Sequence, residues 1–336
     1  SMQNNSEMLI KTARNFVAKR LRQQNDIVAV YLTGSVTSEE PLLGGTTDID
    51  MVFVHKENPS QSREVLRVTY EISLDIEHHH QSFYTYHRRL RQNPWIGFPL
   101  CNHDNILHDT DHWLEFIQAG VSAQFDIPEN IHARSLKFSE KARQQWFDLN
   151  DEQDIRFQDW MDLFFKTTGA AANTIATLNG PALTTRRFMI DFPGRAQALG
   201  QAPLSGDLAR LIGNDKMSLQ LYRDWRPAWE YALKSANAKP NCPPNLSRHR
   251  KGYYLNCCDA LAEGDALYAV LWPMLETWRQ ADSLLINEPA QQETWLLFLS
   301  ALDFVPERKE NLLQALDHFI DAGDDLLRGY RQEYGL

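Results

Sequence analysis

The order of hydrophobic and polar positions divides this chain into an N-terminal part with strand and helix patterns and a C-terminal part with helical patterns only. In the N-terminal part, short apolar runs bounded by turn residues indicate buried strands, and apolar residues at helical spacing indicate helices. Residues 69–78 alternate between apolar and polar side chains, which predicts a strand with one buried and one polar face. The predicted elements are a helix at 7–24, strands at 27–33 and 48–54, a short helix at 61–67, a strand at 69–78, a helix at 83–92, a short edge strand at 105–109 and a helix at 113–125.

From about residue 130 to the end of the chain, helical periodicity dominates. The best helical segments are 138–149, 152–178, 214–237, 257–281, 289–302 and 308–333. The proline-rich stretch 239–244 indicates a loop between helices. We therefore predict an α+β chain, in which a small mixed-sheet domain over 1–128, with helices on one face of its sheet, is followed by an α-helical bundle domain over 129–336.

Composition and charge narrow the class of protein. The chain has 336 residues, of which 43% are hydrophobic and 23% charged, as in ordinary globular proteins. Its formal net charge is -10 at pH 7, whereas proteins that hold long nucleic acid normally present a basic surface. No apolar run is long enough for a bilayer, no signal-peptide pattern opens the chain, and the four cysteines lack metal-site or disulfide spacing. We expect neither long nucleic acid nor a membrane as a partner, and a reducing cytoplasmic location.

The feature that carries chemistry is a pair of aspartates, Asp48 and Asp50, at the start of a predicted strand. Side chains two residues apart on a strand point to the same face, so these two carboxylates repel each other. The apolar run 51–54 indicates that the strand is otherwise buried, where uncompensated charge is unfavourable. A hard divalent cation such as Mg²⁺, which takes oxygen ligands and also binds phosphate, is the usual compensation. The pair therefore predicts a metal site.

Two further features favour a site that handles phosphates. Asp75 and Glu77 share the polar face of the strand predicted at 69–78, so one is a candidate third metal ligand and the other a candidate proton acceptor. We favour Asp75 as the ligand because Glu77 lies nearer the end of the strand. Gly34 lets the backbone approach a phosphate closely, and Ser35 adds a hydroxyl donor. Acids on adjacent strands beside such a turn are what two-metal nucleotidyl transfer requires.

The order of the Gly34-Ser35 turn, the D-x-D strand at 48–50 and a downstream acid resembles the polymerase-β-like nucleotidyltransferase superfamily. The chain length and the helical second half resemble its aminoglycoside nucleotidyltransferases. The resemblance implies that Ser35 contacts a phosphate, that the aspartate pair ligates Mg²⁺ and that Asp75 or Glu77 completes the site. It also implies that AMP is transferred from ATP, the co-substrate, to a hydroxyl of a small-molecule acceptor with release of pyrophosphate.

The acceptor, the base preference and the oligomeric state stay open at this point. A small polyol or amine such as an aminoglycoside agrees with an acidic chain, because negative charge attracts a cation. One alternative is a protein acceptor, as in nucleotidyltransferases of toxin–antitoxin modules. Another is a non-catalytic nucleotide-binding regulatory module that kept the fold.

Three polar features outside this motif are further candidates for the site. Lys166 is a candidate phosphate ligand, although it lies one helical turn after an aspartate and so also fits an i,i+4 ion pair. A basic patch beside Tyr253 and Tyr254 either stacks a base or a substrate ring or is solvated helix surface; it comprises Arg248, Arg250 and Lys251. His79 projects to the same side as the two acids of its strand and is a candidate for assisting proton transfer.

Overall fold

The computed structural model describes residues 2–34, 45, 47–152, 154–248 and 250–336. The chain forms two compact units: unit 1 comprises Ser1–Asn130 and Pro243–Cys257, and unit 2 comprises Ile131–Cys242 and Cys258–Leu336. The predicted division after residue 128 assigned 243–257 to the helical domain, whereas this return segment belongs to unit 1.

Unit 1 is built on a mixed sheet. The described strands are β1 (Ile27–Thr33), β2 (Thr47–His55), β3 (Arg63–Arg67), β4 (Ile72–His80) and β5 (Ile106–Asp109). Their order across the sheet is β3-β4-β2-β1-β5; β2 and β4 pair in parallel, and the other neighbours pair antiparallel. The predicted α+β class with a mixed sheet is confirmed, and so is the short edge strand β5.

Helices cover both faces of this sheet. The first four helices are α1 (Met2–Gln23), α2 (His87–Arg91), α3 (Gly97–Leu100) and α4 (Trp113–Ser122). On one face, Leu9 of α1 joins Phe53 of β2 in a buried cluster. On the other face, Leu90 of α2 and Leu114 of α4 join Val52. The prediction of helices on one face only was wrong, because the central strands carry apolar side chains on both faces and each face requires a cover.

The short helix predicted at 61–67 was also wrong, since Arg63–Arg67 forms strand β3 at the sheet edge, antiparallel to β4. A tight turn joins the two strands. In this turn the Thr69 hydroxyl accepts the Ile72 N–H at 3.1 Å, and the Val68 N–H donates to the Ile72 carbonyl at 3.0 Å. Arginine, glutamate and leucine are good helix formers, so local composition favoured a helix, and the hydrogen bonds to β4 override it.

Unit 2 is helical, as predicted, with the start of α5 and most of α10 counted in unit 1. The remaining helices are α5 (Pro128–Asp151), α6 (Phe157–Ala176), α7 (Phe188–Ala198), α8 (Leu204–Leu211), α9 (Leu219–Asn237), α10 (Lys251–Glu263), α11 (Leu271–Leu284), α12 (Pro289–Ala301) and α13 (Lys309–Tyr334). Helices α7 and α8 escaped prediction because α7 contains Pro193 and α8 spans only 8 residues. None of the helices described here has the length and apolar content that a bilayer crossing requires.

Candidate functional site

Strands β2 and β4 bring three of the predicted site residues together. Their parallel register pairs Asp50 with Asp75, and Asp48 lies two residues before Asp50 on the same face. One carboxylate oxygen of each residue lies within 4.8 Å of the others. Over the described residues this is the one group of three or more acids, histidines or cysteines with such spacing. We call these three residues the carboxylate cluster.

The carboxylate cluster is largely shielded from solvent. Asp48 is fully buried, Asp75 is 6% exposed and Asp50 is half-buried. Burial raises the pKa of the Asp50 carboxyl well above its usual range, and the negative charges of Asp75 and Asp48 raise it further. The cluster therefore has a strong tendency to take up positive charge, as a proton or as a cation.

Arg63 provides positive charge from the edge strand β3. Its Nε donates to Asp75 Oδ1 at 2.8 Å, and its Nη2 donates to Asp75 Oδ2 at 2.5 Å. These parallel bonds form the two-pronged pair that guanidinium and carboxylate groups favour, and they raise the pKa of Arg63. The Arg63 side chain is 31% exposed, so this pair lies at the rim of the cluster.

Arg250 provides positive charge from the return segment of unit 1. Its Nε donates to Asp48 Oδ2, and its Nη1 lies 3.5 Å from Asp75 Oδ2. The guanidinium carbon also lies 4.7 Å from the centre of the Tyr253 ring and 5.8 Å from that of Tyr254. The Arg250 side chain is only 9% exposed, so it is not solvated helix surface, and the rings it contacts belong to this chain.

The charges at this site nearly balance. Among the residues that the structure describes, three carboxylates face two guanidinium groups, and both arginines oppose part of the rise in the pKa of Asp50. A proton on Asp50 would leave two carboxylates against two arginines. One more positive charge, as a proton or as a cation, would therefore balance these groups.

Gly34 lies where the backbone passes against Asp50. Its φ of +72° is in the left-handed region that favours glycine. A Cβ at this position would stand 2.0 Å from Asp50 Oδ2, so any side chain here collides with the carboxylate. The cluster itself therefore requires this glycine, whose contact with a phosphate stays a prediction. Ser35, the other half of the predicted turn, lies outside the described residues.

Glu77 shares the strand face of Asp75 but is not part of the carboxylate cluster. Its side chain is 53% exposed, and its Oε2 lies 3.2 Å from His79 Nε2. The His79 Nδ1 is hydrogen-bonded to the Tyr84 hydroxyl at 2.9 Å, which is bonded in turn to the Tyr31 hydroxyl at 2.7 Å. The geometry groups Asp75 with the aspartate pair, and leaves Glu77 as an accessible carboxylate oriented by a buried chain of side chains.

Lys166 lies on α6, in unit 2. Its Nζ is 2.8 Å from Asp162 Oδ2, which is the i,i+4 ion pair that its spacing allowed. Its side chain is 48% exposed. A role for Lys166 in phosphate binding stays a prediction.

Sequence reasoning missed both arginines as partners of the acids. For Arg63 the local signal was misleading, because residues 63–67 combine arginine, glutamate and leucine, which are good helix formers, and show no strand-like alternation. For Arg250 no local signal existed, because 202 positions separate it from Asp48. Only the folded chain reveals that contact.

The donor chemistry of the cluster suits a hard divalent cation, which prefers carboxylate oxygens to nitrogen or sulfur ligands. All three members offer such oxygens, close enough to share one ion. Comparison with known proteins adds no family: no protein-family model matches the chain, and no curated protein gives a significant match. The function has to be argued from the site itself.

Proposed function

We propose that this protein is a Mg²⁺-dependent nucleotidyltransferase, which moves AMP from ATP onto a hydroxyl of a small-molecule acceptor and releases pyrophosphate. The reaction is assigned to the carboxylate cluster of unit 1. The supporting sequence feature is the order of the Gly-Ser turn, the D-x-D strand and the downstream acid, which resembles the polymerase-β-like superfamily.

One observation carries the proposal, namely the convergence of Asp48, Asp50 and Asp75 within 4.8 Å on adjacent strands. Buried like charges destabilise a fold, and strongly shifted carboxyl groups of this kind concentrate at functional sites. Bound Mg²⁺ would supply charge neutralisation on the triphosphate and polarisation of its α-phosphate.

The chemical step is a displacement at the α-phosphorus of ATP. The acceptor oxygen forms a bond to this phosphorus while the bond to the bridging oxygen of the β-phosphate breaks, and pyrophosphate leaves with that oxygen. We assign the proton of the acceptor hydroxyl to Glu77, because Asp75 is already held by Arg63 whereas Glu77 is accessible on the same strand face. His79 would orient the Glu77 carboxylate for this purpose.

The proposed acceptor is a cationic polyol or amine of the aminoglycoside type. The net charge of -10 supports this class, because an acidic surface concentrates cations. A protein acceptor is the competing possibility and is distinguished by the same assay.

The test incubates the full chain with Mg²⁺, ATP labelled at the α-phosphate and a panel of aminoglycosides, with a cell lysate in parallel. We expect label on a small molecule, equimolar pyrophosphate, and neither product with an Asp50→Asn variant. Label on a protein band would mean that the acceptor is a protein and not a small molecule, and would still support nucleotidyl transfer. Absence of label in every arm with the wild-type chain would contradict the proposal.

A second candidate, the non-catalytic nucleotide-binding module, is favoured by the arginines. Arg63 and Arg250 supply counter-charges to Asp75 and Asp48 from within the chain itself. Such a module would bind ATP equally well in EDTA, and equally well after Asp50→Asn, as measured by equilibrium dialysis. Nucleotide affinity that requires Mg²⁺ and Asp50 would instead favour the enzyme.

A further inference from the structure

We infer that Arg250 and a divalent cation compete for the carboxylate cluster, so that metal binds only when the Arg250 side chain leaves Asp48 and Asp75. The inference rests on the proposed function, because it concerns the regulation of the same site. Its basis is the position of one buried guanidinium group, described above for the functional site.

Arg250 occupies the place that a cation shared by two of the acids would take. Its guanidinium group contacts both Asp48 and Asp75, and both of these acids are buried. Asp48 is fully buried, so its Oδ2 cannot exchange Arg250 for bulk water without a rearrangement. A metal ion bound to the same oxygens would stand within a few ångströms of a positive charge, in surroundings that screen poorly. Simultaneous occupancy is therefore disfavoured.

The two arginines differ in this respect. Arg63 approaches from the edge strand, binds Asp75 alone and is 31% exposed. It can remain on the outer side of Asp75, since each carboxylate oxygen has more than one lone pair. Arg250 bridges two acids and is 9% exposed, so it lies among the carboxylate oxygens that a metal ion would need as ligands. The competition accordingly involves Arg250 and not Arg63.

The backbone of Arg250 is held by hydrogen bonds that do not involve the acids. Its backbone N–H donates to the Ser247 carbonyl at 2.9 Å, and its carbonyl accepts the Tyr254 N–H at 3.2 Å at the start of α10. The long side chain can turn while these backbone bonds persist. The Tyr253 ring, 4.7 Å from the guanidinium carbon, provides a contact that does not depend on the acids.

The test measures binding of Mn²⁺, an Mg²⁺ substitute, to the full chain by the electron paramagnetic resonance signal of the free ion. Wild type is compared with Arg250→Gln. Arg248→Gln is the matched control, because it removes the same charge from an exposed position two residues away. We expect Arg250→Gln to bind Mn²⁺ about tenfold more tightly or better, and Arg248→Gln to bind as wild type does.

Thermal unfolding gives a second readout. Without metal, Arg250→Gln removes the positive charge beside the buried Asp48, whereas Asp75 keeps Arg63, so the Tm of the variant in EDTA should fall. Mn²⁺ should then raise the Tm of this variant more than that of wild type. If Arg250→Gln does not fold in EDTA, Arg250→Lys is measured instead. Lysine keeps the positive charge but lacks the planar fork that bridges two acids, so this variant should bind Mn²⁺ more tightly than wild type.

The outcomes separate the inference from the proposed function. Unchanged or weaker Mn²⁺ binding by the Arg250 variant, with measurable binding by wild type, overturns the competition and leaves the metal site standing. No Mn²⁺ binding by either protein overturns both. Tighter binding that Asp50→Asn abolishes in the Arg250→Gln background supports both.

Discussion

The two faces of the β2–β4 strand pair both bury ionisable side chains, and they arrange the charges differently. On the face covered by α1, acids and bases alternate. Asp26 Oδ2 lies 3.1 Å from His55 Nδ1, His55 Nε2 lies 2.8 Å from His78 Nδ1, and His78 Nε2 lies 2.8 Å from Glu64, which also accepts from Arg20 at 2.8 Å. Each charge on this face has an opposite or polar partner.

On the other face, three carboxylates are concentrated and two arginines arrive from distant parts of the sequence. The alternating network holds the fold together, because burial is compensated within it. The carboxylate cluster is compensated only in part and keeps an affinity for cations. The arrangement of the charges, and not their burial alone, therefore distinguishes a candidate site from a structural network.

The largest effect is expected for Asp50→Asn. Asparagine resembles a protonated Asp50 but cannot act as an anionic ligand, so nucleotidyl transfer should fall by at least about 10³-fold while the Tm holds or rises. The measurements are the labelled-ATP assay and thermal unfolding. Glu57→Gln, at an exposed position in the same unit, is the control and should leave both unchanged. Retained transfer by Asp50→Asn would remove the cluster from the reaction.

A stability gain is expected for Asp282→Asn in unit 2. Asp282 is a buried carboxylate with a raised pKa that lies outside the carboxylate cluster. Burial raises its pKa from 3.8 to about 7, and its Oδ1 has no hydrogen-bond partner among the described residues. A raised folded-state pKa means that stability falls as pH rises from about 4 to about 7. Asp282→Asn should therefore increase the free energy of unfolding by up to about 4 kcal/mol above pH 7, and by little at pH 4.

Urea unfolding at the two pH values measures this difference, with the exposed Asp265→Asn as control. Mn²⁺ binding should be unchanged in both variants, because Asp282 is not part of the carboxylate cluster. A stability gain that is equal at both pH values would show that the buried charge is not its source.

A stability loss is expected for Glu64→Gln on the face covered by α1. The hydrogen bond with His78 lowers the pKa of Glu64 from 4.5 to about 2 against the opposing effect of burial, and Arg20 lowers it further. The stabilisation of the folded state by ionised Glu64 is present above about pH 4.5 and disappears as pH falls through about 2. The variant should lose about 3 kcal/mol of unfolding free energy at neutral pH, and the gap should narrow in acid.

The exposed Glu71→Gln serves as the control for that series. Mn²⁺ affinity should not change in Glu64→Gln, since Glu64 lies on the face opposite the cluster. A drop in Mn²⁺ affinity would mean that the two faces of the sheet are energetically coupled.

The smallest effect is expected for Gly34→Ala. The left-handed φ disfavours alanine by roughly 1–2 kcal/mol, and the new Cβ pushes against Asp50. Gly45→Ala is a matched control, because Gly45 has a φ of +74° and open space around its Cβ position. Both variants should lose the stability that the left-handed φ costs, and Gly34→Ala should lose more because its Cβ also meets Asp50. Mn²⁺ binding should weaken, by about tenfold, in Gly34→Ala alone. Equal Mn²⁺ binding in the two variants would show that Gly34 does not shape the cluster.

The part of this site that follows from local patterns was predictable. A spacing of two residues placed Asp48 and Asp50 on one face of their strand, and alternation placed Asp75 on the polar face of its strand. The parallel register of the two strands completes the cluster. The part that depends on tertiary contact was not predictable. Arg63 was hidden in a segment with helix-forming composition, and Arg250 approaches from 202 positions away. The second helical cover of the sheet was missed for a similar reason, because a strand buried on both faces shows no alternation.

The return of Pro243–Cys257 into unit 1 bears on how this protein can be dissected. A fragment that stops at Asn130 would keep every strand of the described sheet and all three clustered acids, but not the guanidinium group that neutralises Asp48. A cut after Asn130 would thus yield an N-terminal fragment with excess buried negative charge. A shortened version that retains the charge balance needs the segment 243–257 as well.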